Sequence, residues 1–168
     1  GSVITFAGDD DDLYKLNTTN FNLDSINSGY SMTGDTYWKF VRFGDEVIAG
    51  GNDTDGLQGF TVGTDSAFAA VSGAPAARQL AVIRDFVVTG NVSYSGGTHR
   101  SRVRWSAIND ATSWTIGTNQ ADFQDIPDAG QITGLVGGEY GVVLLEKAIA
   151  RMQYVGSPLI FTFEKVET

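Results

Sequence analysis

The stretch FVRFGDEVIAG at residues 40–50 is the strongest indication of the fold, because LAVIRDFVVTG at residues 80–90 repeats its pattern 40 positions later. In each stretch an apolar run leads through a short polar turn into a second apolar run. Asp45 of the first turn aligns with Asp85 of the second. Short apolar runs on either side of a Gly- or Asp-containing turn predict two antiparallel strands joined in a hairpin. An internal repeat of this kind is the first feature that a fold prediction must explain.

A third copy of the hairpin pattern runs from ITGLV at residues 132–136, through a Gly-rich turn, to YGVVLL at residues 140–145. Each of the three hairpins is followed by two further runs with strand character. These runs cover residues 57–62 and 68–71, then 102–107 and 113–116, then 149–155 and 159–166. Each unit therefore contains four predicted strands. Units of four antiparallel strands that repeat every 40 to 50 residues, roughly, are typical of β-propeller blades.

The N-terminal segment fits the same template with its innermost strand missing. Its runs at residues 3–7, 13–16 and 21–24 align with the second, third and fourth strands of the other units. The sequence thus predicts an all-β chain, a β-propeller-type array of four-stranded antiparallel blades with about three complete blades and one partial blade. The predicted bounds within this single domain or fragment are 1–27 for the partial blade and 37–73, 77–117 and 130–168 for the complete ones. An open array cut from a larger propeller, a closed four-bladed ring and a two-sheet sandwich are the three architectures that this pattern allows.

The glycine and proline content supports strands over helices. The chain has 21 glycines and 3 prolines, and its apolar residues fall in short runs broken by Gly, Asn, Asp and Ser. The stretch that most resembles a helix, residues 142–152, is rich in β-branched residues. We interpret it as two strands that divide at Glu146-Lys147.

Composition excludes several functional classes. With 42% apolar and 11% aromatic residues, the chain has the composition of a globular protein. The absence of cysteine excludes disulfides and thiolate metal sites. A formal net charge of −9 disfavours specific or nonspecific nucleic-acid binding, which needs clustered Lys and Arg. No apolar run approaches the length of about 18 residues that suggests a membrane span, so stable membrane insertion is not expected.

Three arginines alternate along one predicted strand, at Arg100, Arg102 and Arg104. Residues two apart in a strand point to the same face, so this pattern places three positive charges side by side. They form a candidate interface for a partner or an anion. The structural alternative is that they protect an outer strand from edge pairing while Arg104 stacks on an aromatic neighbour.

Three other features suggest metal or acid–base chemistry, but each has a structural explanation. The run at residues 8–12 holds four consecutive aspartates without the alternating spacing of a calcium loop, so an exposed turn is expected. Asp122, Asp125 and Asp128 read as a connector between blades that contains Pro127. His99 is the single histidine and is expected to be exposed, and one histidine without cysteine is a poor basis for a zinc site or a triad. No catalytic residue, metal ligand or cofactor is predicted.

Several strings resemble tailed-phage and prophage virion proteins in their order and spacing. They are RVRWSAINDATSWT (102–115), DFQDIPD (122–128), GLVGGEYG (134–141) and YVGSP (154–158), and the resemblance covers roughly residues 38–168. The chain is similar in this respect to the β-propeller nozzle, hub and packaged-DNA stabilization proteins of short-tailed phages. The resemblance implies a protein made in the bacterial cytoplasm that joins other tail subunits in a homo-oligomeric ring around the DNA channel of the virion. It carries over no catalytic residue.

Two other functions are compatible with the sequence. A lectin-like propeller that binds glycans or other ligands would place aromatic and polar residues in a pocket between blades. A glycan-acting enzyme would need a convergent pair of carboxylates in such a pocket, and the sequence does not single one out. We therefore expect a non-catalytic structural component of a virion.

Overall fold

The computed structural model describes residues 3–167, and every regular element in that range is a β-strand. Residues 1, 2 and 168 of the first and last predicted blades lie outside the described residues. The strands form four antiparallel sheets in which neighbours along the chain are also neighbours in space. Sheet I contains β1 (Phe6–Gly8), β2 (Asp12–Leu16) and β3 (Leu23–Ser28). Sheet II contains β4 (Lys39–Phe43), β5 (Glu46–Gly50), β6 (Gln58–Thr61) and β7 (Ala69–Ala70).

The second half of the chain forms the other two sheets. Sheet III contains β8 (Ala76–Ile83), β9 (Phe86–Tyr94), β10 (Gly97–Trp105) and β11 (Asp122–Asp125). Sheet IV contains β12 (Ile132–Val136), β13 (Gly141–Leu145), β14 (Ile149–Gly156) and β15 (Ile160–Glu167). The prediction of an all-β array of blade-like sheets, one of them a strand short, is confirmed.

The two hairpins that revealed the repeat form as predicted. Phe43 pairs with Glu46 at the end of the first, and Ile83 pairs with Phe86 at the end of the second. The first turn residue has positive φ in both, 61° at Gly44 and 50° at Arg84. Positive φ lets a two-residue turn follow the right-handed twist of its strands. The division of residues 142–152 into two strands is also confirmed, since β13 ends at Leu145 and β14 begins at Ile149.

The fourth strand of sheet III lies at β11, so the prediction that residues 113–116 form this strand is wrong. Residues 106–121 instead make an excursion out of the sheet, which places this sheet's end beyond the predicted bound of 117. Trp114 holds the excursion in place: it is buried, and its indole Nε1 donates to the Ala111 carbonyl at 2.8 Å. The Trp114 side chain fills space between sheets II and III. The alternation of polar and apolar residues at 113–116 therefore reflects the burial of this one side chain and not the pairing of a strand.

Apolar layers hold each sheet against the next. The layer between sheets I and II contains Leu13, Val47, Ala49, Phe60 and Phe68. The layer between sheets II and III contains Ile48, Leu57, Leu80, Val87 and Trp114. The layer between sheets III and IV contains Phe86, Trp105, Val143, Met152 and Phe161. Sheets II and III are covered on both faces, which is why successive apolar residues point into different layers. Val47 and Ile48 do so in β5, and Phe86 and Val87 do so in β9.

The innermost strands β4, β8 and β12 lie next to one another. A direct backbone link joins sheets III and IV, since Gly138 N donates to the Val82 carbonyl at 3.1 Å and Arg84 N donates to the Gly138 carbonyl at 2.8 Å. Among the described residues no apolar layer joins sheet IV back to sheet I. The four sheets are therefore an open array, and not a closed ring or a two-sheet sandwich.

Candidate interaction surfaces

The three alternating arginines of β10 lie in three different environments. The register between β9 and β10 shifts between His99 and Val103, which interrupts the strict alternation expected after Arg100. Arg100 is exposed, and its Nη1 donates to Gln131 Oε1 at 3.2 Å. Arg102 donates to both carboxylate oxygens of Asp125 at 2.7 and 2.8 Å. That contact holds β11 against β10 and lowers the pKa of the Asp125 carboxyl, chiefly through the hydrogen bonds from Arg102.

Arg104 is a buried cation, with only 2% of the residue exposed. Among the described residues it has no carboxylate partner. Its Nη2 donates to the carbonyls of Trp114 at 2.7 Å and Gly73 at 3.2 Å. The guanidinium carbon lies 3.8 Å from the centre of the Tyr94 ring, so the stacking expected from the sequence is present. Desolvation lowers the pKa of Arg104. The side chain therefore joins sheet III to the loop after sheet II, and Arg100 is the member of the three that remains accessible to a partner. An interface at Arg100 stays a prediction.

The acidic run forms the exposed turn that the sequence predicts. Asp9 accepts backbone hydrogen bonds from Asp11 N at 3.0 Å and Asp12 N at 2.8 Å, and its other carboxylate oxygen accepts the Tyr14 hydroxyl at 2.6 Å. These bonds lower the pKa of Asp9, and the Tyr14 bond has the largest effect. The same contact raises the pKa of Tyr14 above its usual range.

Replacing Tyr14 with phenylalanine is expected to raise the pKa of Asp9 toward the ordinary aspartate value. The rise is incomplete because the two backbone donors remain. A depressed aspartate pKa stabilises the folded turn at neutral pH, and this contribution is lost as the pH falls through the folded-state pKa. NMR titration of the Asp9 carboxyl carbon measures the change. Tyr37→Phe, which alters an exposed tyrosine elsewhere, should leave the Asp9 titration unchanged. An unchanged Asp9 pKa in Tyr14→Phe would refute the assignment.

A polar cavity of about 220 Å³ lies near the innermost strands. Its lining includes Lys39, Arg78, Gln79, Asn91, Gln131 and Thr133. Asn91 is 2% exposed, and its amide nitrogen donates to the Ile132 carbonyl at 3.2 Å. Within the part of the chain that the structure describes, its Oδ1 has no hydrogen-bond partner. A water takes about 30 Å³ in the liquid, so this cavity is large enough for several water molecules or a small polar group.

A larger groove of about 580 Å³ separates the hairpin turns of sheets II and III. Asp45 and Asp85, the two aspartates that the repeat aligns, both line it, together with Arg42 and Arg84. Carboxylates and guanidinium groups are mixed along its walls, so the groove has no single sign of charge. Among residues 3–167, no three histidine, aspartate or glutamate side chains are grouped so that they could hold a metal ion. His99, expected to be exposed, is half-buried.

The array ends in two sheet faces that no other described residues cover. On sheet IV the side chains that point toward sheet III are buried, while Val136, Tyr140, Ile149 and Val155 are exposed. On sheet I the exposed face carries Leu23 and the Tyr14–Asp9 contact. Sequence reasoning missed these faces as sites. The available signal was the wholly apolar strand at residues 142–145, because a strand that faces water on one side normally alternates apolar with polar residues.

Within the described range of the chain, no helix is long and apolar enough to cross a membrane. No protein-family model matches the sequence, and no curated protein sequence is significantly similar to it.

Proposed function

We propose that this chain is a non-catalytic structural module of a phage virion, within a tail or head-to-tail passage protein that assembles around the DNA channel. The observation that carries the proposal is the open array of face-to-face sheets, whose end faces leave apolar side chains exposed. An exposed apolar face with polar groups around it is characteristic of a surface that meets another protein. The module would therefore act through the surfaces on which it joins other subunits.

The residues of the phage-like strings support a structural role. Trp105 and Trp114 come from the same string, yet they fill two different layers, one on each side of sheet III. The Trp105 indole donates to the Gln120 carbonyl at 2.8 Å and thereby ties the excursion of residues 106–121 to the sheet. The two tryptophans of this string are thus explained by the packing of consecutive sheets.

The charge of the chain fits a position beside DNA in transit. The formal net charge of −9 disfavours retention of a polyanion, because like charges repel at short range. Arg104 is buried and Arg102 is paired with Asp125, so neither of these positive charges is available to contact phosphate. A channel through which a genome passes benefits from such weak retention.

The glycan-binding alternative rests on the cavity that contains Asn91. We favour the structural role because two of the polar groups there are already engaged: Arg78 is held by both carboxylate oxygens of Asp53, and the Asn91 amide nitrogen donates to Ile132. Free, convergent polar groups would be expected in a specific sugar site.

The test is the composition of purified phage particles that derive from the genome encoding this chain. Quantitative mass spectrometry should find the chain in a fixed ratio to the capsid protein, and gold-labelled antibody against it should mark the tail end of the particle. A non-structural early protein of the same phage serves as the negative control. Detection of the chain in infected cells but not in particles would overturn the proposal.

A further inference from the structure

Sheet I lacks the innermost strand that the other three sheets have. In β1 the residues FAG at 6–8 align with IAG at 48–50 of β5 and VTG at 88–90 of β9. Strand β1 therefore takes the second position of its sheet. In sheets II and III the second strand pairs with an innermost strand, β4 or β8, across a two-residue turn. Among residues 3–167, β1 pairs with β2 alone, so its inner side is an open sheet edge.

The backbone at this edge has hydrogen-bonding groups that point away from β2. The Thr5 carbonyl accepts the Leu16 amide at 2.9 Å, which extends the ladder between β1 and β2 by one residue. Residues next to a bonded residue in an antiparallel ladder turn their amide and carbonyl to the opposite side. The backbone groups of Ile4 and Phe6 therefore face the open edge. Such a row of free donors and acceptors is a template for a further strand.

An apolar groove of about 330 Å³ lies beside the open edge, and its lining includes Ile4, Phe6, Phe40, Arg42, Val47 and Val62. Phe6 is half-buried here, whereas its counterparts Ile48 and Val88 are fully buried. Ile48 and Val88 each pair with an innermost-strand residue, Val41 and Ala81 respectively. A strand at the open edge would complete the burial of Phe6 in the same way. The open edge and this groove together are here named the β1 edge site.

The innermost strands of sheets II and III show what fits the β1 edge site. Strand β4 supplies Val41 and Phe43 to the layer against sheet III, and β8 supplies Ile83 to the layer against sheet IV. Within the described residues, sheet I has no strand in this position to contribute to its layer with sheet II. The matching occupant is therefore an extended segment that runs antiparallel to β1 and carries apolar side chains two residues apart.

The outer strands of the array are less suited to strand addition. Strand β7 has two residues, while β3, β11 and β15 carry charges at Asp24, Asp122 and Glu164. Short strands and charged residues protect a sheet edge from pairing. Residues 3–8, by contrast, contain no charged side chain. A second copy of this chain therefore brings no matching outer edge, which favours a segment of a different protein as the occupant.

We propose that the β1 edge site binds an extended segment of a partner protein, which adds to sheet I as its fourth strand and packs apolar side chains into the groove. The row of backbone groups selects a partner whose own backbone is extended and unpaired, and the groove selects alternating apolar side chains. The inference goes beyond the proposed function, because it depends on the open edge and the groove and not on the place of the chain in a virion.

The test uses the full chain and a synthetic peptide, RQLAVIRD, which copies residues 78–85. When the peptide is added at millimolar concentration, the amide signals of Ile4 and Phe6 should shift in NMR spectra. Hydrogen exchange of these two amides should slow by about tenfold or more, because the docked strand accepts their hydrogens. Exchange of the Ala7 amide, which faces β2, should change little.

Two matched pairs test the geometry of the site. A peptide with Ala81→Pro has the same length and charge but lacks the amide that would bond the Phe6 carbonyl, so it should bind at least about tenfold more weakly. In the chain, Ile4→Glu places a charge in the groove and should weaken binding of the unmodified peptide by a similar factor. Val3→Glu is its control, since Val3 is 83% exposed. Circular dichroism establishes that both variants are folded, and the comparison of peptides holds whether or not Ile4→Glu folds.

Failure of the peptide to bind at millimolar concentration would overturn the inference, as would equal binding of the Ala81→Pro peptide. Protection of the Ile4 and Phe6 amides in a dimer of the free chain, detected by sedimentation equilibrium and hydrogen exchange, would assign the site to a second copy and would also overturn it. Peptide binding by a chain that is absent from virions would support this inference and overturn the proposed function.

Discussion

Arg104→Ala is expected to lower the free energy of unfolding by about 3 kcal/mol, whereas Arg100→Ala, four residues away on the same strand, should change it by less than about 0.5 kcal/mol. The truncation removes a fully enclosed side chain and leaves a cavity between Tyr94 and Trp114. It also deprives the Gly73 and Trp114 carbonyls of a donor. The substitution also removes a desolvated positive charge, which offsets part of the loss in the free energy of unfolding.

Chemical denaturation with urea measures the effect, with the slope of the transition compared between variants to detect changes in the unfolded state. Arg104→Met retains most of the volume and removes the charge and the donors. It should therefore fall between wild type and Arg104→Ala. Equal stability of Arg104→Ala and Arg100→Ala would show that the guanidinium does not join sheet III to the loop after sheet II.

Gly137→Ala is expected to destabilise the chain by about 2–3 kcal/mol, through a clash between backbones. A Cβ at this position would overlap the Val82 carbonyl oxygen of β8. That carbonyl also accepts the Gly138 amide, so the overlap can be relieved only by moving the end of β12 away from the innermost strand of sheet III. Flexible side chains are not involved, so local adjustment cannot absorb the extra methyl group.

Thermal unfolding measures this second effect, since each kcal/mol corresponds to about 2–4 °C in a chain of this size. Gly56→Ala is the matched control. Its nearest contact for an added Cβ, the Ala74 carbonyl oxygen, is at an ordinary 3.7 Å. It should leave the melting temperature nearly unchanged or slightly higher, because alanine restricts the unfolded chain more than glycine does. A Gly137→Ala variant as stable as Gly56→Ala would refute the close approach of sheets III and IV at this point.

The local sequence pattern was sufficient to predict the strands that pair with a neighbour close by in the sequence. The repeat at residues 40–50 and 80–90, and the division at Glu146-Lys147, were predictable because a hairpin depends on alternation and turn residues within about a dozen positions. The acidic turn was predictable for the same reason, since Asp9 bonds to the backbone two and three residues ahead. The sequence also indicated the missing strand of the first sheet.

Local sequence patterns were enough to predict the all-β class, the repeating four-strand unit and the hairpins, but what each sheet face meets depends on tertiary contacts. Residues 113–116 have the local pattern of a strand, but Trp114 is buried between sheets, so β11 takes the outer position instead. Arg104 and Arg100 have equivalent local patterns, yet Gly73, 31 residues away, helps to enclose one of them. The period-two alternation specifies which side chains share a face of a strand. Whether that face meets another sheet, a buried cation or an uncovered surface depends on contacts between residues far apart in the chain, which no local pattern encodes.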